Sequence, residues 1–231
     1  LRSRDPGVAP GSRPIFPASQ PGQESTMDVS QRKLTVLDQI ESADKVRRKI
    51  IDTASVLYAK KGFTATCIEE ISEKAGVSLP VTYSYVKKKS EIMRMIMEDV
   101  LNIFQESLTR EIRDIQDPEE KLVIAVILYF RVVDRHKEKA LLLYQKSSSL
   151  DKASRARVMQ LEVDVSNIFG GILEEGIKKG VFRDVDVDLT AYNIILMAHM
   201  WILKSWHFKS RLSLEKYIDL QLVNILAMLK K

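Results

Sequence analysis

Residues 62–89 read GFTATCIEEISEKAGVSLPVTYSYVKKK, and the reading of this stretch decides the fold. Thr66, followed three residues later by Glu69, is a capping box that opens a helix. Ile68, Ile71 and Ala75 share one face of that helix. Gly76 stops it, supplying the positive φ that lets two helices meet at a steep angle. Val77 plugs the angle. Ser78 then caps a further short helix, roughly residues 79–86, in whose first turn Pro80 is tolerated because those amides need no intrahelical partner. Two short helices about Ala75-Gly76-Val77-Ser78 follow the grammar of a helix-turn-helix. The second is poor in apolar positions, chiefly Val81 and Val86. It is rich instead in Tyr83, Ser84, Tyr85 and the run from Lys87 to Lys89. Such hydroxyls and ammonium groups bond phosphate oxygens, while first-turn residues meet base edges in a major groove.

The excess charge of the chain sits on the module that contains this stretch. The 231 residues carry 36 Lys or Arg against 31 Asp or Glu, a net +5. Residues 44–95 hold eleven basic and six acidic side chains, whereas residues 1–43 and 96–231 are each balanced. An excess confined to one module is the distribution expected when that module meets a polyanion. With 45% apolar residues the chain can bury the core of one or two domains. Cys67 stands alone, which excludes an internal disulfide framework and a Cys-based zinc cluster. The longest apolar stretch, Leu189 to Leu203, includes Asn193 and His199 and is too short and too polar for a membrane span. A cytoplasmic protein with no membrane partner is expected.

Outward from the quoted stretch the pattern is helix after helix. Val46, Ile50, Ala54, Leu57 and Tyr58 recur at helical spacing and end at Gly62. After the short helices come longer ones, over about Glu91 to Asp114, from the start signal Asp117-Pro118-Glu119-Glu120 to Arg135, and over Lys137 to Ser147. Others cover Asp151 to Lys179, Leu189 to Phe208 and Leu214 to Lys230. Gly170-Gly171 inside one of them reads as a close-packing site or kink. No segment alternates as a strand does, so the chain is all-α, with about nine helices. Residues 1–26 are rich in Pro, Ser, Gly and Gln, and Met27 opens the better-patterned part. The expected division is an extension without fixed structure over 1–43, a DNA-binding domain over 44–90 and a larger helical domain over 91–231.

The stretch from Gly62 to Lys89 resembles the DNA-binding head of the TetR family of bacterial transcription regulators. That family's pattern runs G-F, T-T-V, I-A, A-G-V-S, then G-T-L-Y, Y-F and S-K-E at set spacings, and many positions agree at once. Pro80 stands where the family has Gly, Val86 where it has Phe, Lys88 for Ser and Ser90 for the acid, which leaves the operator sequence open. The resemblance implies that Thr66, Tyr83, Tyr85 and Lys89 hold phosphates, with Ser78 at the helix start. It also implies that Leu79, Pro80, Val81 and Ser84 face base edges. It further implies a homodimer on double-stranded operator DNA, a repressor released by a small effector, and no cofactor or metal.

Beyond residue 91 the resemblance is one of architecture alone. Residues that would line an effector pocket are Ile103, Phe104, Tyr129, Tyr144, Phe169, Asn193, Met197, His199, Met200 and Trp201. The helix from Leu189 to Phe208 offers no carboxylate, which points to a neutral or anionic apolar effector such as an aromatic or fatty acyl compound. The stripe Leu214, Ile218, Leu222, Ile225 and Leu229 suits a dimer seam. An enzyme is not expected: His136, His199 and His207 have no ligand-like partners at helical spacing, and no nucleophile elbow or phosphate loop occurs. Two other readings remain, an effector-independent or architectural DNA-binding protein and a helical interaction protein with a decayed head.

Overall fold

The structure, a computed structural model, describes residues 29–146 and 150–230. Among these there are ten helices and no strand. They are α1 (Val29–Lys61), α2 (Ile68–Ala75), α3 (Leu79–Tyr85), α4 (Lys89–Ile112) and α5 (Pro118–Arg135), then α6 (Lys137–Lys146), α7 (Lys152–Lys178), α8 (Val187–Leu203), α9 (Ser205–Phe208) and α10 (Leu214–Leu229). Residues 42–231 form one compact unit, which holds both the helix-turn-helix and the longer helices after it. Of the extension expected over 1–43, residues 1–28 lie outside the described residues and the rest belongs to α1.

The helix ends follow local chemistry. Asp117, Asp151, Asp186 and Ser213 each accept the backbone N–H three residues on, at 2.9, 2.9, 2.9 and 3.2 Å, and so cap α5, α7, α8 and α10. Gly76 closes α2 in the left-handed region (φ 63°), with Gly76 N–H on Glu73 O and Val77 N–H on Ser72 O. The expected capping box at Thr66 is not formed. Cys67 is the N-cap residue of α2, and Thr66 turns inward, its hydroxyl donating to Gly62 O at 2.9 Å.

Two further differences from the sequence pattern have visible causes. The helix expected from Leu189 to Phe208 breaks at Lys204 (φ −114°, ψ 32°) into α8 and α9. Beyond the break, the Lys209 ammonium returns to Asp134 Oδ1 at 3.1 Å, the same oxygen that accepts the Trp201 indole N–H at 2.8 Å. Helix α7 runs unbroken through Gly170-Gly171, and the crowded glycine is another one. A Cβ on Gly176 would lie 2.0 Å from Cδ2 of Phe182, so only glycine lets that ring close over the end of α7.

The head is α1, α2 and α3, joined through Ile50, Ile51, Ala54, Ile68, Ile71 and Val86, all buried. Helices α4, α5, α7 and α8 pack on one another to make the larger core, with α6 against α4 and α8, and α10 against α5. No helix among the described residues is long and apolar enough to cross a membrane.

Candidate DNA-reading face and ligand cavity

Helix α3 is fixed from beneath by two hydroxyls. The buried Ser72 Oγ lies 2.9 Å from Oγ1 of Thr82 and 2.8 Å from Ile68 O, so α2 and α3 are locked at one register. The opposite face of α3 is open. Ser78, Pro80, Val81, Tyr83 and Ser84 are exposed, Val81 and Tyr83 by 41% and 42%. Leu79 and Tyr85 are half-buried, and the Tyr85 hydroxyl donates to Ala43 O of α1 at 3.2 Å. The base-facing set expected on α3 therefore shares one surface, with Leu79 at its edge.

The phosphate set divides. Tyr83 is accessible, but its hydroxyl donates to Glu69 Oε1 at 3.2 Å, an acceptor that raises its pKa. Thr66 is only 1% exposed, which leaves it no surface to offer a phosphate. Lys89 is turned in as well. Its ammonium donates to Phe63 O and Thr64 O at 3.0 and 3.1 Å and stands over the Phe63 ring at 4.9 Å. In this structure both residues bond within the loop before α2. Thr64, Cys67, Glu69, Tyr83 and Lys89 border a shallow hollow there. The exposed cations after α3 are Lys87 and Lys88, of which Lys88 pairs with Asp151.

Helices α4 to α8 line a partly open cavity of about 370 Å³. From α7 it receives Arg155, Val158, Met159, Glu162 and Val165, and from α8 Tyr192, Ile195, Leu196 and His199, both sets at three- and four-residue spacing. Leu101, Tyr129, Leu143, Tyr144 and Leu150 complete it. Of the ten residues expected to line a pocket, Tyr129, Tyr144 and His199 do so. Phe104 and Phe169 are fully buried behind the wall, edge-on to Tyr129 at 5.2 and 5.5 Å. Trp201 is buried against Tyr217 at 5.1 Å, and Ile103, Asn193, Met197 and Met200 lie off the lining. Large aromatics gain more by filling a core than by walling a cavity.

The polar part of the cavity centres on His199. Tyr129 Oη lies 2.9 Å from its Nε2, and Tyr144 Oη meets its Nδ1. Burial pushes the imidazole down to about 4, so it is neutral at pH 7. Burial raises both tyrosines too, Tyr144 to about 12. Glu162, raised by burial, corrects the premise that the pocket lacks a carboxylate: the acid comes from α7, whereas that premise rested on α8 alone.

The proposed dimer stripe on α10 faces inward. Ile218, Ile225 and Leu229 are 3%, 0% and 0% exposed, while Leu214 and Leu222 are half-buried. Apolar residues left open include Leu189, Leu196 and Leu203 at seven-residue spacing on α8, with Leu220 and Val223 on α10. An amphipathic stripe marks what is buried and does not say in which chain.

Two ionic contacts tie the head to the ligand-cavity helices. Lys139 of α6, 13% exposed, donates to Asp52 of α1 at 2.7 Å and to Asp99 of α4 at 2.8 Å. Lys88, just before α4, pairs with Asp151 at the start of α7. Helix α6 also supplies Leu143 and Tyr144 to the cavity, so one helix touches both cavity and head.

Comparison with known proteins agrees with this architecture. Residues 50–96 match the family described as bacterial regulatory proteins, tetR family, and residues 116–207 match a tetracyclin repressor-like C-terminal domain. The chain is 29% identical over 195 residues to the HTH-type transcriptional regulator HbdR of Aromatoleum sp. (strain CIB), covering 84% of this chain and 85% of that one. It is similar in fold to the TetR family regulator PfmR of Thermus thermophilus, with a TM-score of 0.67, 23% identity and coverage of 79% and 99%. It is also similar to FadR of Bacillus subtilis in complex with stearoyl-CoA, with a TM-score of 0.63, 22% identity and coverage of 78% and 96%. A helix-turn-helix head with an open reading helix, joined by α4 to a helical domain built around a cavity, agrees with these matches, and the chain belongs to the TetR family of bacterial transcriptional regulators.

Proposed function

We propose that this regulator is a repressor that binds a palindromic operator as a homodimer and is released when a small, largely apolar effector enters the cavity between α4 and α8. The observation that carries the reading is the pairing of an open α3 face with a cavity whose α6 wall is ionically tied to the head through Lys139. A single short recognition helix meets too few base pairs for specificity, so two heads are needed, spaced by about 34 Å or a multiple of it. The open leucines of α8 with Leu220 and Val223 offer the surface on which a second copy would pack. An effector filling the cavity displaces α6 or α7, and the head follows through Lys139 and Lys88. Operator geometry is strict, so a few ångströms of splay disengage one recognition helix. Like HbdR and FadR, the chain is read as a regulator and not as an enzyme.

The effector reading extends to an aromatic or fatty acyl compound, the latter supported by the stearoyl-CoA of the FadR complex. The test is selection of duplexes from a random library with the purified protein, followed by release measured as operator anisotropy. A palindrome released by cavity ligands is the expected result. A palindrome that no ligand releases indicates an effector-independent regulator, and enrichment of no duplex indicates a helical interaction protein.

A further inference from the structure

In the cavity, the Tyr129–His199–Tyr144 hydrogen-bonded chain leaves one donor to spare, and Glu162 supplies an acceptor. His199 is neutral, so only one of its ring nitrogens carries a hydrogen. Tyr129 is fully buried and its hydroxyl has no partner but Nε2 among the described residues. Were the hydrogen on Nε2, the Tyr129 proton would be buried without an acceptor, which costs more than a made bond returns. The hydrogen therefore belongs on Nδ1, with Tyr129 donating to Nε2. Nδ1–H then donates to the Tyr144 oxygen. The proton of Tyr144 is left to point into the cavity that Tyr144 lines.

The acceptor is Glu162. It has no hydrogen-bond or ion-pair partner among the described residues, and burial is what raises its pKa. Glu162 lines the same cavity as Tyr129, Tyr144 and Tyr192, and its charge pushes all three upward. Arg155 lies two turns away on the same face of α7. With His199 neutral, the described lining carries one cation and one anion, and no net charge selects a charged ligand.

We infer that Glu162 and Tyr144 together recognise a hydroxyl group, so that the effector is a hydroxylated aryl or acyl compound whose hydroxyl donates to Glu162 and accepts from Tyr144. This rests on the cavity being the effector site. A methyl group in that position satisfies neither residue. An ammonium leaves the Tyr144 proton without an acceptor, and a carboxylate sets like charge against Glu162. A site built to bond a hydroxyl discriminates strongly against the analogue lacking it, because its own polar groups are left unpaired.

The experiment is titration calorimetry on the full chain with four probes of one shape: 2-naphthol, 2-methylnaphthalene, 2-naphthoate and 2-(aminomethyl)naphthalene. The expected result is 2-naphthol binding at least tenfold tighter than each of the others. Glu162→Leu should erase or reverse its lead over 2-methylnaphthalene, and Glu162→Gln and Tyr144→Phe should each reduce it, in proteins whose melting shows them folded. Equal binding of 2-naphthol and 2-methylnaphthalene, or a lead that survives Glu162→Leu, overturns the inference while leaving the cavity as the ligand site. Tightest binding by the amine or the carboxylate overturns it in favour of a charged effector. Binding of none of the four overturns both the inference and the cavity as effector site. Binding of 2-naphthol without operator release overturns the proposed function alone.

Discussion

Lys88 Nζ lies 3.1 Å from Asp151 Oδ2, joining the end of the DNA-reading head to the residue that caps α7. Both side chains are about half exposed, so solvent screens the pair and it adds little to stability. Its effect lies in holding one arrangement of head and α7. Asp151→Asn keeps a capping oxygen for the Ser154 N–H and removes the charge. The expected outcome is an unchanged melting temperature to within a few degrees and operator release at severalfold lower effector concentration, read by anisotropy.

Lys139 is the more consequential contact. Replacing it with Met leaves Asp99, 19% exposed, facing Asp52 with no cation between them. A loss of about 2–3 kcal/mol in urea unfolding is expected, below the full figure for a buried pair because Asp52 is open to water. The double variant Lys139→Met with Asp99→Asn should recover part of it.

The buried His199 makes stability depend on pH in a defined direction. Its imidazole titrates near 6.5 when unfolded and about 4 when folded. Between those values the unfolded chain holds the extra proton, so acidification favours unfolding. The loss starts below pH 6.5 and reaches about 3 kcal/mol once pH passes below 4. Glu162, raised in the folded state, works in the opposite sense over the acidic end of that range. Melting temperature measured from pH 7.5 to 4 should fall more steeply in the wild type than in His199→Gln.

The two sides of α10 separate pairing from folding. Val223 is 66% exposed, whereas Ile225 is fully buried. Val223→Glu should give a folded monomer in sedimentation, and Ile225→Glu should give a protein that melts early or is not recovered folded.

Lys87 and Lys89 should also separate. Lys87→Ala, at an exposed position, should lower the salt slope of operator binding by about one unit with stability unchanged. Lys89→Met should leave the salt slope and cost about 1–2 kcal/mol of stability, since it abandons two carbonyls and the Phe63 ring.

The head was legible because its signals are local. Gly76, Val77 and Ser78 act within a few residues of themselves, and their geometry does not depend on distant packing. Thr66 misled because a capping pattern also suits a hydroxyl that turns back to Gly62. The cavity was less legible because its α7 wall mixes Arg155 and Glu162 into a face that apolar periodicity does not flag. Phe104, Phe169 and Trp201 drew attention by size, yet size is what placed them in the core. On α10 the periodicity found the buried side correctly, but the choice between one's own chain and a second copy is tertiary information. Helix α8 leaves Leu189, Leu196 and Leu203 exposed, and apolar periodicity on α10 could not point to them.

Leu196 belongs to two surfaces: it lines the cavity, and at 51% exposure it stands at the centre of the open leucine row of α8. A ligand resting on one side of this residue and a second copy resting on the other compete for, or cooperate in, its placement. Thermodynamic reciprocity then requires that whatever the ligand does to subunit association, association does by the same factor to ligand affinity. On the proposed dimer, ligand affinity is therefore expected to change with protein concentration across the association range.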